Sequence, residues 1–216
     1  MSRFTDAEIE AIYRAIRERR DMRHFRPDPV DPVVLARLLA AAHQAPSVGL
    51  MQPWRFIRIT DPDLRRDIHA LVEEERLRTA EALGERKGGF MKLKVEGIRE
   101  CAELLVAVLA PDDGTVFGRR TLPEMDLASV ACAIQNLWLA ARAEGLGMGW
   151  VSLFDPEALA RLLEMPAGAR PVAILCLGHV AAFYPAPMLE LENWTRGRPL
   201  QELVFHNIWA NIEAPT

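Results

Sequence analysis

Apolar residues recur at helical spacing along several stretches of the chain and run together or alternate in shorter ones, which predicts helices interleaved with strands. The segment Phe4-Thr5-Asp6-Ala7-Glu8-Ile9 predicts a helix start, with Thr5 as N-cap, Glu8 closing a capping box and Phe4 stapled to Ile9. Ile9, Ile12, Tyr13 and Ile16 follow as its apolar positions. Three Asp-Pro pairs, Asp31-Pro32, Asp61-Pro62 and Asp155-Pro156, each predict a further helix, because the aspartate caps and the proline fits the first turn. Behind them stand Leu35, Leu38, Leu39 and Ala42, then Leu64, Ile68 and Leu71, then Leu159 and Leu162. The longest stripe is Leu127, Val130, Ile134, Leu137, Trp138 and Ala141, which predicts a core helix over Asp126–Glu144 stopped by Gly145 and Gly147.

Strands are predicted at Trp54–Thr60, at Leu104–Ala110 and Val172–Leu177, whose unbroken apolar runs suit burial on both faces, and at Trp150–Phe154. Glu73-Glu74-Glu75-Arg76 reads as a solvated helix face, Gly84–Gly89 as a flexible break, Asp112–Pro123 as a polar loop, and Phe90–Cys101 as a further helix or a mobile cover. From Phe183 onward the prolines are closely spaced, and Tyr184, Trp194, Phe205 and Trp209 have little chain left to cover them, so a partner subunit is expected there. No period repeats. The pattern predicts one α+β domain over residues 1–216 with a small central sheet.

Composition narrows the classes. The 216 residues are half hydrophobic, and 26 basic against 30 acidic residues leave a net charge of −4, which points away from nucleic acid while leaving room for a local anion site. The longest apolar runs fall short of a membrane span and the charged amino terminus lacks a signal-peptide core, so a cytoplasmic protein is expected. Cys101, Cys132 and Cys176 are odd in number and widely spaced, as reduced core residues would be. His24, His43, His69, His179 and His206 show no ligand spacing, so no metal site is expected.

Three stretches carry candidate chemistry. In His43–Trp54, two prolines, a glycine and Ser47 make a loop, yet Val48, Leu50, Met51 and Trp54 are apolar enough either to fill a core or to lie against a flat apolar ligand. In Arg19-Arg20-Asp21-Met22-Arg23, three guanidinium groups suit a phosphate or the carboxyl end of a helix, and Asp21 is expected to stay ionised among them, as a proton acceptor or as part of an ion-pair network. Gly145-Leu146-Gly147-Met148-Gly149 follows a helix and precedes a strand, the reverse of a dinucleotide turn, so its glycines read as a connection that permits close backbone approach. Ser152 stands where a strand ends, as an ordinary strand serine or a hydroxyl offered to a ligand.

In this order, RRDMR, a helix, APSVGLMQPW, a strand, a long central helix, GLGMGWVS and a late RGRPL, the chain resembles the flavin-binding nitroreductase superfamily. Asp21 where reductases commonly carry serine, and Leu50 where they carry asparagine, bring it nearest to the branch that fragments reduced FMN with molecular oxygen to 5,6-dimethylbenzimidazole, the lower ligand of cobalamin. The resemblance implies an interlocked homodimer around a small mixed sheet, with flavin at the subunit interface and the end of the chain, about residues 183–216, wrapping the partner. It implies that Arg19, Arg20 and Arg23 hold the FMN phosphate and pyrimidine side, with Met22 in the same motif. Ser47 and Leu50 would face the flavin, Gly149 would line it, and Arg196 or Arg198 would contribute to binding. It further implies that Asp21 and Ser152 carry the chemistry, that Phe90–Gly97 forms a lid, and that a separate flavin reductase supplies reduced FMN. An NAD(P)H-dependent nitro- or quinone reductase and a non-catalytic flavin-binding dimer remain open alternatives.

Overall fold

The computed structural model describes residues 3–209. Helix α1 (Asp6–Glu18) opens with the expected capping box: Thr5 N donates to Glu8 Oε2 at 2.7 Å, and Glu8 N donates to Thr5 Oγ1 at 3.4 Å. The three Asp-Pro pairs start α2 (Pro32–His43), α3 (Pro62–Ala82) and α6 (Pro156–Leu162), each aspartate accepting from one or two amides of the first turn. Between these lie α4 (Lys87–Phe90) and α5 (Met125–Ala143), and α7 (Met188–Leu191) follows in the tail.

Four strands, β1 (Trp54–Ile59), β2 (Glu103–Leu109), β3 (Gly147–Val151) and β4 (Arg170–Gly178), pair in the order β1-β2-β4-β3, antiparallel throughout. The parallel element of the sheet is one bridge, Asp21 with Met148. Both faces are covered. Leu105 and Ala107 of β2 pack with α2 and α5 through Leu38, Val130, Ile134 and Leu137, while Leu104, Val106 and Val108 pack on the other face with Ile68 and Val72 of α3 and Leu159 of α6. That alternation is why β2 and β4 read as unbroken apolar runs.

The structure departs from the sequence pattern in several places. Helix α1 buries none of its residues and Phe4 is 63% exposed, so the staple is not packed and Ile12, Tyr13 and Ile16 form an outward apolar face. The strand expected at Trp150–Phe154 begins at Gly147 and ends at Val151. Cys132 is exposed, whereas Cys101 and Cys176 are buried free thiols. Arg76 is not solvated, since its guanidinium lies half-buried between α3 and the segment after α4. Within the tail, Tyr184 and Trp194 are engaged by their own chain, while Trp209 is 84% exposed and stacks on Phe205. Residues 210–216 of the expected wrapping extension lie outside the described residues. Among the described residues no helix is long and apolar enough to cross a membrane.

Candidate functional site

Strand β3 is an edge of the sheet, and an open edge presents unpaired amides and carbonyls that need partners. The stretch Arg20–His24 supplies them. Met22 N donates to Met148 O at 3.0 Å, Trp150 N donates to Asp21 Oδ1 at 2.9 Å, and Arg23 Nη2 donates to Trp150 O at 2.9 Å and to Asp21 Oδ2 at 2.5 Å. Two side chains thus stand in for the backbone of a fifth strand. The glycines make the close approach possible: a Cβ on Gly149 would sit 2.3 Å from Met22 O, and one on Gly147 would sit 2.5 Å from Val180 Cγ1.

This edge seat carries Asp21 into two cavities whose walls share Asp21, Met188 and Leu189. The outer one, of about 460 Å³, is basic, with Arg17, Arg19, Arg20 and Arg196 in its wall. The inner one, of about 320 Å³, is mostly apolar, with Trp150, Leu93 and Trp194 around Asp21, Arg23 and Ser152. Arg20 Nη1 donates to Arg17 O and Arg19 O, both at 2.8 Å, and its buried Nε has no partner among the described residues. The Arg19 guanidinium lies 4.4 Å over the Trp138 ring, and its proton affinity is lowered chiefly by burial.

Opposing influences meet at Asp21. Burial in the cavity floor pushes its carboxyl above the ordinary aspartate value, outweighing the opposing pull of Arg23, the Trp150 amide and Arg19. Its side chain is still 39% exposed, and both carboxyl oxygens accept hydrogen bonds, Oδ1 from the Trp150 amide and Oδ2 from Arg23.

The predicted site residues therefore divide. Arg19, Arg20, Asp21, Arg23, Ser152 and Arg196 come together in the paired cavities. Met22 does not, because its side chain enters the core beneath β3 and is 1% exposed. Gly149 lies under Met22 and Arg23 and is absent from the walls, and Arg198 is absent from them as well. Arg23, almost wholly buried, serves Asp21 and Trp150 instead of the basic wall. Ser47 and Leu50 stand elsewhere: Ser47 Oγ accepts from Gln52 N at 3.1 Å, and Leu50 is 79% exposed in a left-handed turn at φ 55°. Within the loop Ala45 and Trp54 join the core on one face of the sheet and Val48 and Met51 are half-buried, and none of the loop lines these two cavities of its own chain.

One wall residue, Trp194, and Tyr184 beside Arg23 escaped the sequence reading. Tyr184 accepts from Arg23 N at 3.2 Å, and Trp194 lies with Phe90 at 6.1 Å and under the Arg86 guanidinium at 3.7 Å. Their aromatic character was the visible signal, but it was assigned to a partner. Away from the cavities, donor atoms of His69, Glu73 and Glu96 lie within 4.8 Å of one another, a grouping that spacing alone hid because Glu96 comes from another segment. Both carboxylates there have protein partners, Arg76 for Glu73 and the Ile98 amide for Glu96.

Comparison with known proteins agrees with this geometry. The Nitroreductase family pattern matches residues 16–179. A 5,6-dimethylbenzimidazole synthase of Rhodospirillum rubrum is 46% identical over 188 residues, covering 84% of this chain and 87% of that protein. One from Rhodobacter capsulatus is 41% identical, covering 92% of this chain and 97% of that protein. In three dimensions, a BluB-like flavoprotein from Clostridium difficile 630 superposes with a TM-score of 0.72 at 17% identity, covering 90% of this chain and 98% of that one, which speaks for the fold. The sheet, the edge seat of Asp21 and the long match from the end of α1 through β4 meet in one conclusion: the chain belongs to the nitroreductase family.

Proposed function

We propose that this protein is a 5,6-dimethylbenzimidazole synthase, an oxidoreductase that uses molecular oxygen to fragment reduced FMN. The observation that carries the reading is identity of 37–46% to synthases of that name over most of the chain, joined to the meeting of Asp21 and Ser152 in one cavity. The cavities suit such a ligand: an apolar inner wall fits a flat ring system, and a basic outer wall with an unpartnered buried Arg20 Nε fits a phosphate.

Bound reduced FMN supplies the electrons for oxygen chemistry, and the protein supplies position, charge and exclusion of water. Arg19, Arg20 and Arg196 hold the phosphate by charge-assisted hydrogen bonds. Arg23 fixes the Asp21 carboxylate through Oδ2 while the Trp150 amide fixes Oδ1, so the group that moves protons has one orientation. Burial raises its proton affinity toward the working range of a general acid–base. Ser152, just past the end of β3, offers a hydroxyl to the reacting end of the ligand. Trp150, Leu93 and Trp194 keep water from the inner cavity.

The reading includes a second copy of the chain. The outward apolar face of α1 and the exposed Leu50, Leu200 and Trp209 are surfaces that a homodimer would cover, and the chain beyond Phe183 would lie on the partner. In such a dimer the Ser47–Leu50 loop completes a flavin site across the interface rather than within one protomer. A separate flavin reductase in the cytoplasm delivers reduced FMN.

The deciding experiment gives the purified protein reduced FMN in air and follows products by chromatography. Dimethylbenzimidazole is the expected product. Its absence under varied reductant supply rejects the synthase, and steady nicotinamide oxidation driven by a nitroaromatic, with the flavin surviving many turnovers, would establish a reductase instead.

A further inference from the structure

The stretch between α4 and β2, residues 91–102, contains no helix or strand, yet Leu93 and Val95 from it, with Phe90 just before, line the inner cavity. Over residues 91–96 its apolar anchorage is slight, whereas Ile98 and Cys101 are buried in the cluster on the α3 and α6 face of the sheet. Ala80, Phe90 and Leu93 form a small buried cluster of their own, separate from the clusters on the two faces of the sheet. A segment held in this way opens locally at a cost well below that of global unfolding, unless polar contacts restrain it.

The restraint is concentrated on one side chain. Arg76 of α3 donates through Nη2 to Met91 O at 2.8 Å and Leu93 O at 3.3 Å, and through Nη1 to both oxygens of Glu73 at 3.3 and 3.2 Å. It is 18% exposed, so these bonds compete with little water. A planar guanidinium that spans two carbonyls two residues apart dictates the path of the backbone, whatever side chains it carries. That path points Leu93 into the wall. Nearby, His69 Nε2 lies 3.7 Å from Glu96 Oε1, a longer and weaker tie between the same helix and segment.

We infer that Arg76 is a positioning residue: it holds residues 90–96 as the wall of the inner cavity and so sets how long a flat aromatic ligand stays there. The second half rests on the flavin reading above. The test therefore has two parts, hydrogen–deuterium exchange on the flavin-free full chain and FMN dissociation followed by flavin fluorescence. The amides of Met91, Lys92 and Leu93 are bonded to Lys87 O, Gly89 O and Phe90 O, so their exchange reports opening. In Arg76→Met these amides should exchange about 10- to 100-fold faster, as expected for loss of buried charge-assisted bonds. Amides of β2 and β4 should not change, and FMN should leave faster by a similar factor. Arg76→Lys should restore part of the protection, and Glu73→Gln, which leaves both carbonyl bonds, should change exchange by less than about twofold.

Unchanged exchange at Met91–Leu93 in Arg76→Met overturns the inference. So does acceleration spread equally through β2 and β4, or an equal acceleration in Glu73→Gln. If Arg76→Met does not fold, Arg76→Gln takes its place with the same expectations. Selective acceleration in a protein that binds no FMN upholds the positioning role and counts against the flavin reading alone.

Discussion

Replacing Gly149 by alanine tests whether the stretch around Asp21 is seated on the edge of β3 by backbone contact. The added Cβ would stand 2.3 Å from Met22 O and 2.9 Å from Arg23 Nη1, against an ordinary contact that begins at 3.4 Å. Neither the carbonyl nor a guanidinium tied to Asp21 and Trp150 O can swing aside, so the seated stretch has to retreat by about 1.1 Å, the gap between 2.3 and 3.4 Å. A shift of that size takes the Met22–Met148, Trp150–Asp21 and Arg23–Trp150 bonds, now 2.9–3.0 Å long, beyond hydrogen-bonding range together. Two of the three involve a charged group, so the loss is about 3–5 kcal/mol. For a chain of this length that lowers Tm by about 6–20 °C. Thermal unfolding by circular dichroism reads the effect, with Gly88→Ala as the control. A Cβ at Gly88 meets nothing within 4 Å and lies in α4, where alanine is worth up to about 1 kcal/mol over glycine. If Gly149→Ala melts within about 2 °C of the wild type, the seat is not built as described and the orientation assigned to Asp21 falls with it.

Three further outcomes follow from the site. Because burial raises the Asp21 pKa above its ordinary 3.8, the folded state binds that proton more tightly than the unfolded chain. The associated stability is fully present below the unfolded value and is lost as pH rises through the folded one. Denaturation of the wild type and Asp21→Asn at a series of pH values should accordingly show the wild type losing ground to the variant from about pH 4 upward, then a plateau; a constant difference contradicts the raised affinity. In the synthase assay Asp21→Asn should still bind FMN but make little dimethylbenzimidazole, and full yield removes the acid–base role. Arg196→Ala should weaken FMN binding by roughly tenfold or more through loss of a charge-assisted bond, leaving riboflavin binding nearly unchanged, whereas Arg198→Ala should leave the binding of both nearly unchanged. Fluorescence titration checks both, and equal effects of the two substitutions would remove the assignment of the phosphate to the cavity wall.

Much of this was legible because its causes are local. An aspartate before a proline caps a helix through its own side chain, so all three such starts stand where the sequence put them. The helix over residues 125–143 and the two fully covered strands were legible because burial on a given face leaves a periodic apolar record. What stayed hidden depends on contacts between distant segments. The start of β3 at Gly147 looks like a loop, since glycine disfavours strands, until Met22 is seen lying where a Cβ would go. Arg76 looked solvated because it follows three glutamates, and only folding brings the carbonyls of Met91 and Leu93 to it. The Arg-rich motif shows the charges that favour an ionised Asp21 but not the burial that opposes them, because charge can be counted along a chain and burial cannot. Ser47 and Leu50 line neither cavity of their own chain, and where a loop lies relative to a second molecule leaves no periodic record in the sequence.

The seating of Arg20–His24 along β3 also gives the protein a shared point of failure. The same few bonds that aim Asp21 into the cavities also shield the row of amides and carbonyls on β3. Heat, or a substitution that lifts this stretch, would therefore silence the site and in the same event expose a strand ready to pair with a neighbouring chain. Lost activity and the first step toward aggregation would then be one transition, and a ligand that clamps Arg19 and Arg20 would slow both.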